Sequence, residues 1–258
     1  MTTAPVRHTE KLLLSTACFL ALFVAWHIAV RVTGTDVFPS PWEVLLGFRE
    51  LVIKGHLLAY ARDSLIRVLS GYGLAVLAGI PFGILMGWYE PFASMMNPLI
   101  QMFRPISPLA WMPLAVIWFG IGNSAPIFLI FIAAFFPIVV ATMNGVRNVP
   151  PMYLRAASNF GLSGSAILIR VVLPAILPRV MTGLRLALGI AWLVVVAAEM
   201  IAVDSGLGYL IIDSRNAGKR YDLVVGGMIL IGLIGLALDT LVRRAERIPS
   251  LRWGFRKD

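Results

Sequence analysis

Charge is scarce in this chain. Asp, Glu, Lys and Arg make up 14% of its 258 residues, where a soluble domain carries about 25%. Reactive side chains are scarcer. The three histidines, His8, His27 and His56, lie far apart, and Cys18 is the only cysteine. An internal disulfide is therefore excluded, and no CxxC, HExxH or clustered His/Cys pattern exists to hold a metal. Cys18 sits in an apolar run and reads as inert packing. No G-x-x-x-x-G-K-[ST] occurs, so nothing in the chain cradles nucleotide phosphates. The nearest glycine-rich run, "GLSGSAI" at 161–167, lacks the lysine. An intramembrane enzyme would need a His/Asp/Glu or Ser/Lys constellation within its spans, and His27 alone cannot supply one.

Apolar residues fill the space that charge leaves. They make up 59% of the chain, and mean hydropathy is +0.86. This composition is that of a polytopic membrane protein, all helical, with a length that suits a single bundle and no separate soluble domain. The net charge of +9 would suggest nucleic acid in a soluble protein. Here it reads as cations that flank spans and set topology, and nucleic acid is not an expected partner.

A span needs about 20 apolar residues. Six candidates emerge: 12–30, 68–87, about 106–120, about 125–146, about 175–202 and about 223–242. The first follows Arg7, His8 and Lys11 but lacks a small-x-small cleavage site, so it reads as a retained span rather than a signal peptide. The uncharged run from Pro105 to Val146 is too long for one helix, and "GIGNSAP" at 120–126 divides it. Between the first two spans, "PSPWEVLLGFRELVIKGHLLAYARDSL" mixes charge with apolar residues at helical spacing, as an amphipathic surface helix does. Six spans place both termini on one side. With Arg104 in the loop after the second span, and Arg147, Arg155 and Arg170 in the loop after the fourth, the Lys/Arg bias makes that side cytoplasmic.

Within the spans, Gly71, Ala75, Gly79, Gly83 and Gly87 recur every fourth residue, a stripe along which another helix can approach closely. Pro105, Pro108 and Pro113 crowd the start of the third span. The carbonyls they free need protein or water, which points to the bundle interior or to plain kinked packing. Glu199 lies near the outer end of the fifth span, within reach of water or an arginine. Asp239 precedes Arg243 by four residues, a favourable helical ion pair.

The segment "YLRAASNFGLSGSAILIRVVLPAILPRV", 153–180, breaks the apolar pattern. Pro150 and Pro151 suit a helix start and Gly161 a helix end. Tyr153, Leu154, Ala157 and Phe160 fall close to one helical face, while Arg155, Ser158 and Asn159 point elsewhere. A second helix starts near Ser163, and Pro174 and Pro178 lead into the fifth span. The product is a helix–turn–helix that protrudes from the membrane, a shape suited to docking a soluble partner.

This segment resembles the signature of permease subunits of binding-protein-dependent ABC importers: Glu-Ala-Ala, three residues, Gly, nine residues, Ile-x-Leu-Pro. The chain has Arg155-Ala156-Ala157, three residues, Gly161, nine residues, Val171-Val172-Leu173-Pro174. "PAILPRVMTGLRLALGIAWLVVVAAEMI" and "RPISPLAWMPLAVIWFGIG" are similar to the nitrate/sulfonate/taurine branch. The resemblance covers roughly residues 60–245. It implies a type I importer permease fold of six transmembrane helices with cytoplasmic termini, in a bacterial inner membrane. The expected organisation is a single transmembrane permease domain over 1–258. Residues 1–60 hold the first span and amphipathic segment, 61–245 the core, 150–174 the coupling loop and 246–258 a basic tail.

By this resemblance Tyr153, Leu154, Arg155, Ala156, Ala157, Ser158, Asn159, Phe160, Gly161 and Leu162 form the coupling helix that docks on an ATPase. Arg155 replaces the family acid, so the partner is expected to present an acidic or neutral patch there. The implied partners are an ATP-binding-cassette ATPase dimer, which binds the ATP and Mg, a second permease copy and a periplasmic substrate-binding protein. This chain itself carries no cofactor and no catalytic residue. Position in the spans makes Trp111, Met112, Trp118, Met143, Trp192 and Glu199 candidates to line the path. The implied cargo is a small anion, an alkanesulfonate or taurine first, with nitrate, cyanate, bicarbonate or a heterocyclic or aromatic compound as alternatives. A stand-alone secondary transporter would want paired intramembrane charges or an inverted repeat, and neither is visible in the sequence.

Overall fold

The computed structural model describes residues 8–34 and 37–246. Among these residues all regular structure is helical. In chain order the elements are α1 (His8–Thr33), α2 (Pro41–Ile53), α3 (His56–Trp88), α4 (Glu90–Phe103), a 3-10 turn (Pro108–Trp111) running into α5 (Met112–Phe119), and α6 (Ser124–Arg147). Then come α7 (Pro151–Asn159), α8 (Gly164–Ile167), a π turn (Leu168–Val172), α9 (Leu173–Ala202), α10 (Leu207–Gly218) and α11 (Tyr221–Glu246).

Four helical stretches among the described residues are long and apolar enough to cross a membrane: His56–Trp88, Ser124–Arg147, Gly164–Ala202 and Tyr221–Arg244. A fifth span is formed if Glu90–Phe103 and Pro108–Phe119, bent by 86° at their junction, are taken together. The candidate at 12–30 falls in α1, whose apolar stretch Thr16–Val32 is shorter.

Three boundaries differ from the sequence expectation. The second span begins twelve residues earlier than the uncharged window, because His56–Leu65 continues the helix rather than the surface segment; only Pro41–Ile53 forms the separate amphipathic helix. Taken as one span with Pro108–Phe119, the third also recruits Glu90–Phe103, and the prolines after Phe103 coincide with the sharp bend between them. The fifth is continuous from Gly164, without a break at Pro174 or Pro178. Pro174 has no N–H to offer the carbonyl of Arg170, and the helix passes this point through the π turn, where the Leu173 N–H donates to the Leu168 carbonyl.

The chain divides into two compact units, Met1–Leu58 with Leu210–Ile229, and Ala59–Tyr209 with Leu230–Asp258. In the first unit, Ser40 and Glu43 form a reciprocal capping box that starts α2. Arg220 holds Glu50 and Asp222, each at 2.7 Å. The Arg220 guanidinium, with Lys54, lowers the Glu50 carboxyl to about 2. A depressed carboxylate loses its contribution only as pH falls through that value, so this tie persists at neutral pH. Cys18 is exposed on α1 rather than packed.

In the second unit, α3, α5, α6 and α9 bury one core that includes Val68, Ala75, Ala115, Leu129, Ile130, Ile138, Ala187, Val195 and Ala198. The small-residue stripe of α3 faces α6. A Cβ on Gly83 would lie 2.7 Å from the Thr142 Cβ and from the Val139 carbonyl oxygen, and one on Gly71 would lie 2.6 Å from the Ile127 carbonyl oxygen. Gly79 and Gly87 meet Ile138 and Val146 in the same way, and Ala75 is fully buried between them. Gly83→Leu is therefore expected to force the helices apart and to cost about 1–3 kcal/mol or more. Gly73→Leu, on the same helix with nothing within 4 Å, is the control. Equal losses of thermal stability at both positions would reject this account.

Candidate functional site

Two polar constructions stand out in the second unit. The first is the protruding segment. Asn148 caps the end of α6 by donating from Nδ2 to the Asn144 carbonyl at 2.7 Å, and Arg179 donates to the Asn148 carbonyl at 3.1 Å. Pro150 and Pro151 then open α7, with Pro151 at its first position, where no N–H is needed. Gly161 ends it at φ +78°, a conformation that side chains with a Cβ resist. Two reverse bonds close the turn: Gly161 N–H to the Ser158 carbonyl at 2.9 Å, and Leu162 N–H to the Ala157 carbonyl at 3.1 Å. This is a Schellman motif, and its usual apolar contact is present, since Ala157 and Leu162 share a cluster with Leu154, Ile167, Val172 and Ile176.

That anchoring fixes which side chains face outward. Ala157 is buried and Leu154 and Leu162 are half-buried. Phe160 is 87% exposed, Met152 68% and Tyr153 43%. Arg155, Ala156, Ser158 and Asn159 are exposed as well. The expected grouping of Tyr153 and Phe160 with the anchored Leu154 and Ala157 is thus corrected. The buried stripe runs from Leu154 through Ala157 to Leu162, and Phe160 is the cap residue just beyond the last turn of α7. Met152, absent from the sequence candidates, joins the exposed apolar set. The Ser158 hydroxyl turns back to the Leu154 carbonyl at 3.0 Å. Arg155 forms no ion pair among the described residues, so its charge is free to meet another molecule.

The second construction is a buried charge network. Arg67 of α3 is 3% exposed and Glu199 of α9 is fully buried, and they pair at 2.7 Å. Arg67 also donates from Nε to Asn123 Oδ1 at 2.8 Å, and from its two terminal nitrogens to the carbonyl and hydroxyl of Ser205 at 2.8 and 2.6 Å. Glu199 accepts from Ser64 Oγ at 2.8 Å and from the Gly208 N–H at 3.0 Å, and Ser64 Oγ accepts from the Leu207 N–H at 2.9 Å. Every oxygen and nearly every donor is used, which is what makes a buried pair tolerable. Gly206, at φ +106°, is pressed against the Glu199 carboxylate where a Cβ would collide with it. The network ties the turn after α5 and the turn after α9 to the N-terminal part of α3.

Glu199 therefore reaches an arginine rather than water, the second of the two partners that its position near a span end suggested. The paired intramembrane charge that the sequence did not reveal is present, and it is a structural tie. The signal that could have found it was Arg67 with Ser64 one turn earlier; Ser64 falls in the segment read as a surface helix, and Arg67 between that segment and the second span. The other path candidates scatter. Met112, Met143 and Trp192 are buried, Trp111 is half-buried and Trp118 is exposed. Trp192 donates to the Ile231 carbonyl at 3.1 Å and packs against Gly235, as a helix-packing residue does. Asp239 pairs with Arg243 at 2.9 Å as the spacing predicts, and with Arg185 at 2.6 Å. No group of three metal-ligating side chains occurs among the described residues.

Comparison with known proteins places the chain among transporter permeases. Residues 79–250 match the family model described as binding-protein-dependent transport system inner membrane component. An ABC transporter permease protein of Methanocaldococcus jannaschii is 42% identical over 245 residues, covering 93% of this chain and 91% of its own. The taurine transport system permease protein of Escherichia coli is 37% identical, covering 88% and 84%. A bicarbonate transport system permease protein of Synechococcus elongatus is 36% identical, covering 92% and 89%. Among solved structures, an inward-facing MetNI methionine ABC transporter chain superposes with TM-score 0.58 at 21% identity, over 72% of this chain and 94% of that one.

Proposed function

Because this chain belongs to the family of binding-protein-dependent transport system inner membrane components, we propose that it is the membrane-spanning subunit of an ATP-driven importer of a small organic or inorganic anion. The observation that carries this reading is α7: an amphipathic helix fixed by a Schellman turn, whose exposed face presents Met152, Tyr153, Arg155 and Phe160. A rigid apolar foundation with an aromatic tip is what transmitting motion from a docked soluble subunit requires. In this reading the bilayer holds six spans of a bacterial inner membrane, with both termini cytoplasmic. Two copies pair around the path, a loaded periplasmic protein docks outside, and an ATPase dimer binds ATP and Mg inside. ATPase closure moves the two α7 helices together, and the continuous Gly164–Ala202 helix carries that displacement to the outer turns. The chain performs no covalent step; ligands bias a conformational equilibrium.

Taurine-like sulfonates are the favoured cargo, supported by the taurine permease at 37% identity. Bicarbonate, and with it nitrate or cyanate, is the second reading, supported by the bicarbonate permease at 36%. The test is reconstitution. The chain purified alone is expected to hydrolyse no ATP. With its ATPase and binding protein in proteoliposomes it is expected to take up one labelled anion from a panel of taurine, methanesulfonate, nitrate and bicarbonate, only when ATP is present. Uptake driven by an ion gradient without ATP would overturn the reading.

A further inference from the structure

A cavity of about 510 Å³ opens in the second unit where α4 breaks off, bounded by Arg104, Pro108, Phe136, Val140, Leu186 and Ile190 among others. That is the size of an ordinary small-molecule site. None of the six side chains expected along the path borders it. Apart from Arg104, every residue that lines it is apolar.

Its depth follows from the helices. The lining residues of α6 span 132–141, the middle turns of Ser124–Arg147, and those of α9 span 183–190. Glu90, at the start of α4, pairs with Arg147 at the foot of α6 at 3.1 Å, which marks one membrane surface. Arg104, just past the end of α4, borders the cavity together with residues 132–141 of α6, which places it inside a hydrocarbon core about 30 Å thick. Arg104, expected in a cytoplasmic loop, instead caps that end, its N–H on the Ile100 carbonyl at 2.9 Å. It forms no hydrogen bond or ion pair with another side chain among the described residues. Arg67 and Arg185, by contrast, are engaged, by Glu199 and by Asp239. An arginine within a membrane is expensive and is held there by a partner or a function.

We propose that Arg104 is the anion-recognising residue of the translocation path, and that the cavity beside it receives the cargo's oxyanion head on the guanidinium and its short apolar tail against Phe136, Val140 and Leu186. The planar fork of an arginine matches a sulfonate or carboxylate through two parallel hydrogen bonds, and the dry walls strengthen the attraction. The 86° bend supplies the opening: two helix segments that meet at a sharp angle leave room beside α6 and α9 that a straight span would fill.

This inference rests on the importer reading above, and one experiment separates the two. The complete transporter, with its ATPase and binding protein, is reconstituted with Arg104→Gln, Arg104→Lys or wild-type permease. Uptake of taurine, methanesulfonate, nitrate and bicarbonate is measured beside ATP hydrolysis stimulated by the binding protein. Arg104→Gln is expected to lower uptake of the transported anion about tenfold or more, as loss of a charge-assisted pair does, while stimulated hydrolysis stays within about twofold. Arg104→Lys is expected to recover a substantial part, since the point charge persists without the fork. Full uptake by Arg104→Gln in a working importer would overturn this site alone. Loss of hydrolysis and assembly together with uptake would show that Arg104 pairs with protein, and would overturn it also. A wild-type complex that imports none of the four anions would overturn the anion reading as a whole.

Discussion

Glu199→Ala should lower the thermal midpoint of the detergent-solubilised chain by roughly 10 °C. The substitution leaves Arg67, 3% exposed, without its counter-charge and leaves Ser64 and the Gly208 N–H without an acceptor. Breaking one side of a buried ion pair costs about 3–5 kcal/mol, because the orphaned charge stays desolvated. Arg67→Met alone should cost a similar amount, and the double change Arg67→Met with Glu199→Leu should cost less than either single change. It should not be neutral, since Asn123 and Ser205 then lose the guanidinium that satisfies them. Glu199→Gln should fall between, as the amide oxygen can still accept one bond. Scanning calorimetry or a thiol-free dye assay across the four variants checks this. A Glu199→Ala midpoint equal to wild type would mean the pair does not hold α3, α9 and the two turns together.

Phe160→Asp should detach the ATPase subunit while leaving the chain itself as stable as wild type. Phe160 is the most exposed of the apolar side chains on the protruding segment and contributes little to its own fold. In a docked complex it would be buried, and truncating a central aromatic anchor typically costs about 2 kcal/mol or more of binding, roughly a thirtyfold loss of affinity. Gly161→Trp should act differently. It strains a φ of +78°, tilts α7 on its foundation and uncouples hydrolysis from uptake even where the subunits still associate. Arg155→Glu, which restores the acid of the family signature, should weaken association if the partner surface opposite is acidic or neutral. Co-purification of tagged ATPase with each variant, beside uptake in proteoliposomes, reads all three. Undiminished transport by Phe160→Asp would exclude α7 as the docking element.

Much of this organisation is local enough to be visible in one dimension. The periodicity of Gly71, Ala75, Gly79, Gly83 and Gly87 needs only the 3.6-residue repeat to predict a close helix contact, and the contact exists with α6. The Pro-Pro start and Gly161 stop of α7 are cap chemistry, written in neighbouring residues. Asp239 and Arg243 are one turn apart. What was not visible depends on distance in sequence. Arg67 and Glu199 are 132 residues apart, and nothing near either one announces the other. A hydropathy window penalises Arg67 as though it faced lipid, and so the second span was begun one residue after it. Burial with a partner reverses that penalty, and only a folded chain supplies the partner.

Arg104 makes the complementary point. Read linearly, it ends one apolar stretch and precedes three prolines, as a loop residue would. The 86° bend and the packing of α6 and α9 place it beside a cavity at mid-depth instead. The sequence by itself determined that this is a membrane-embedded helical bundle with a polar helix–turn segment before its fifth span, because composition, caps and short-range periodicity act within a few residues of one another. Only the tertiary structure decided which charges are neutralised within the protein and which stand unpaired, because pairing and desolvation depend on side chains brought together from distant parts of the chain, 132 residues apart for Arg67 and Glu199 and 54 for Arg185 and Asp239.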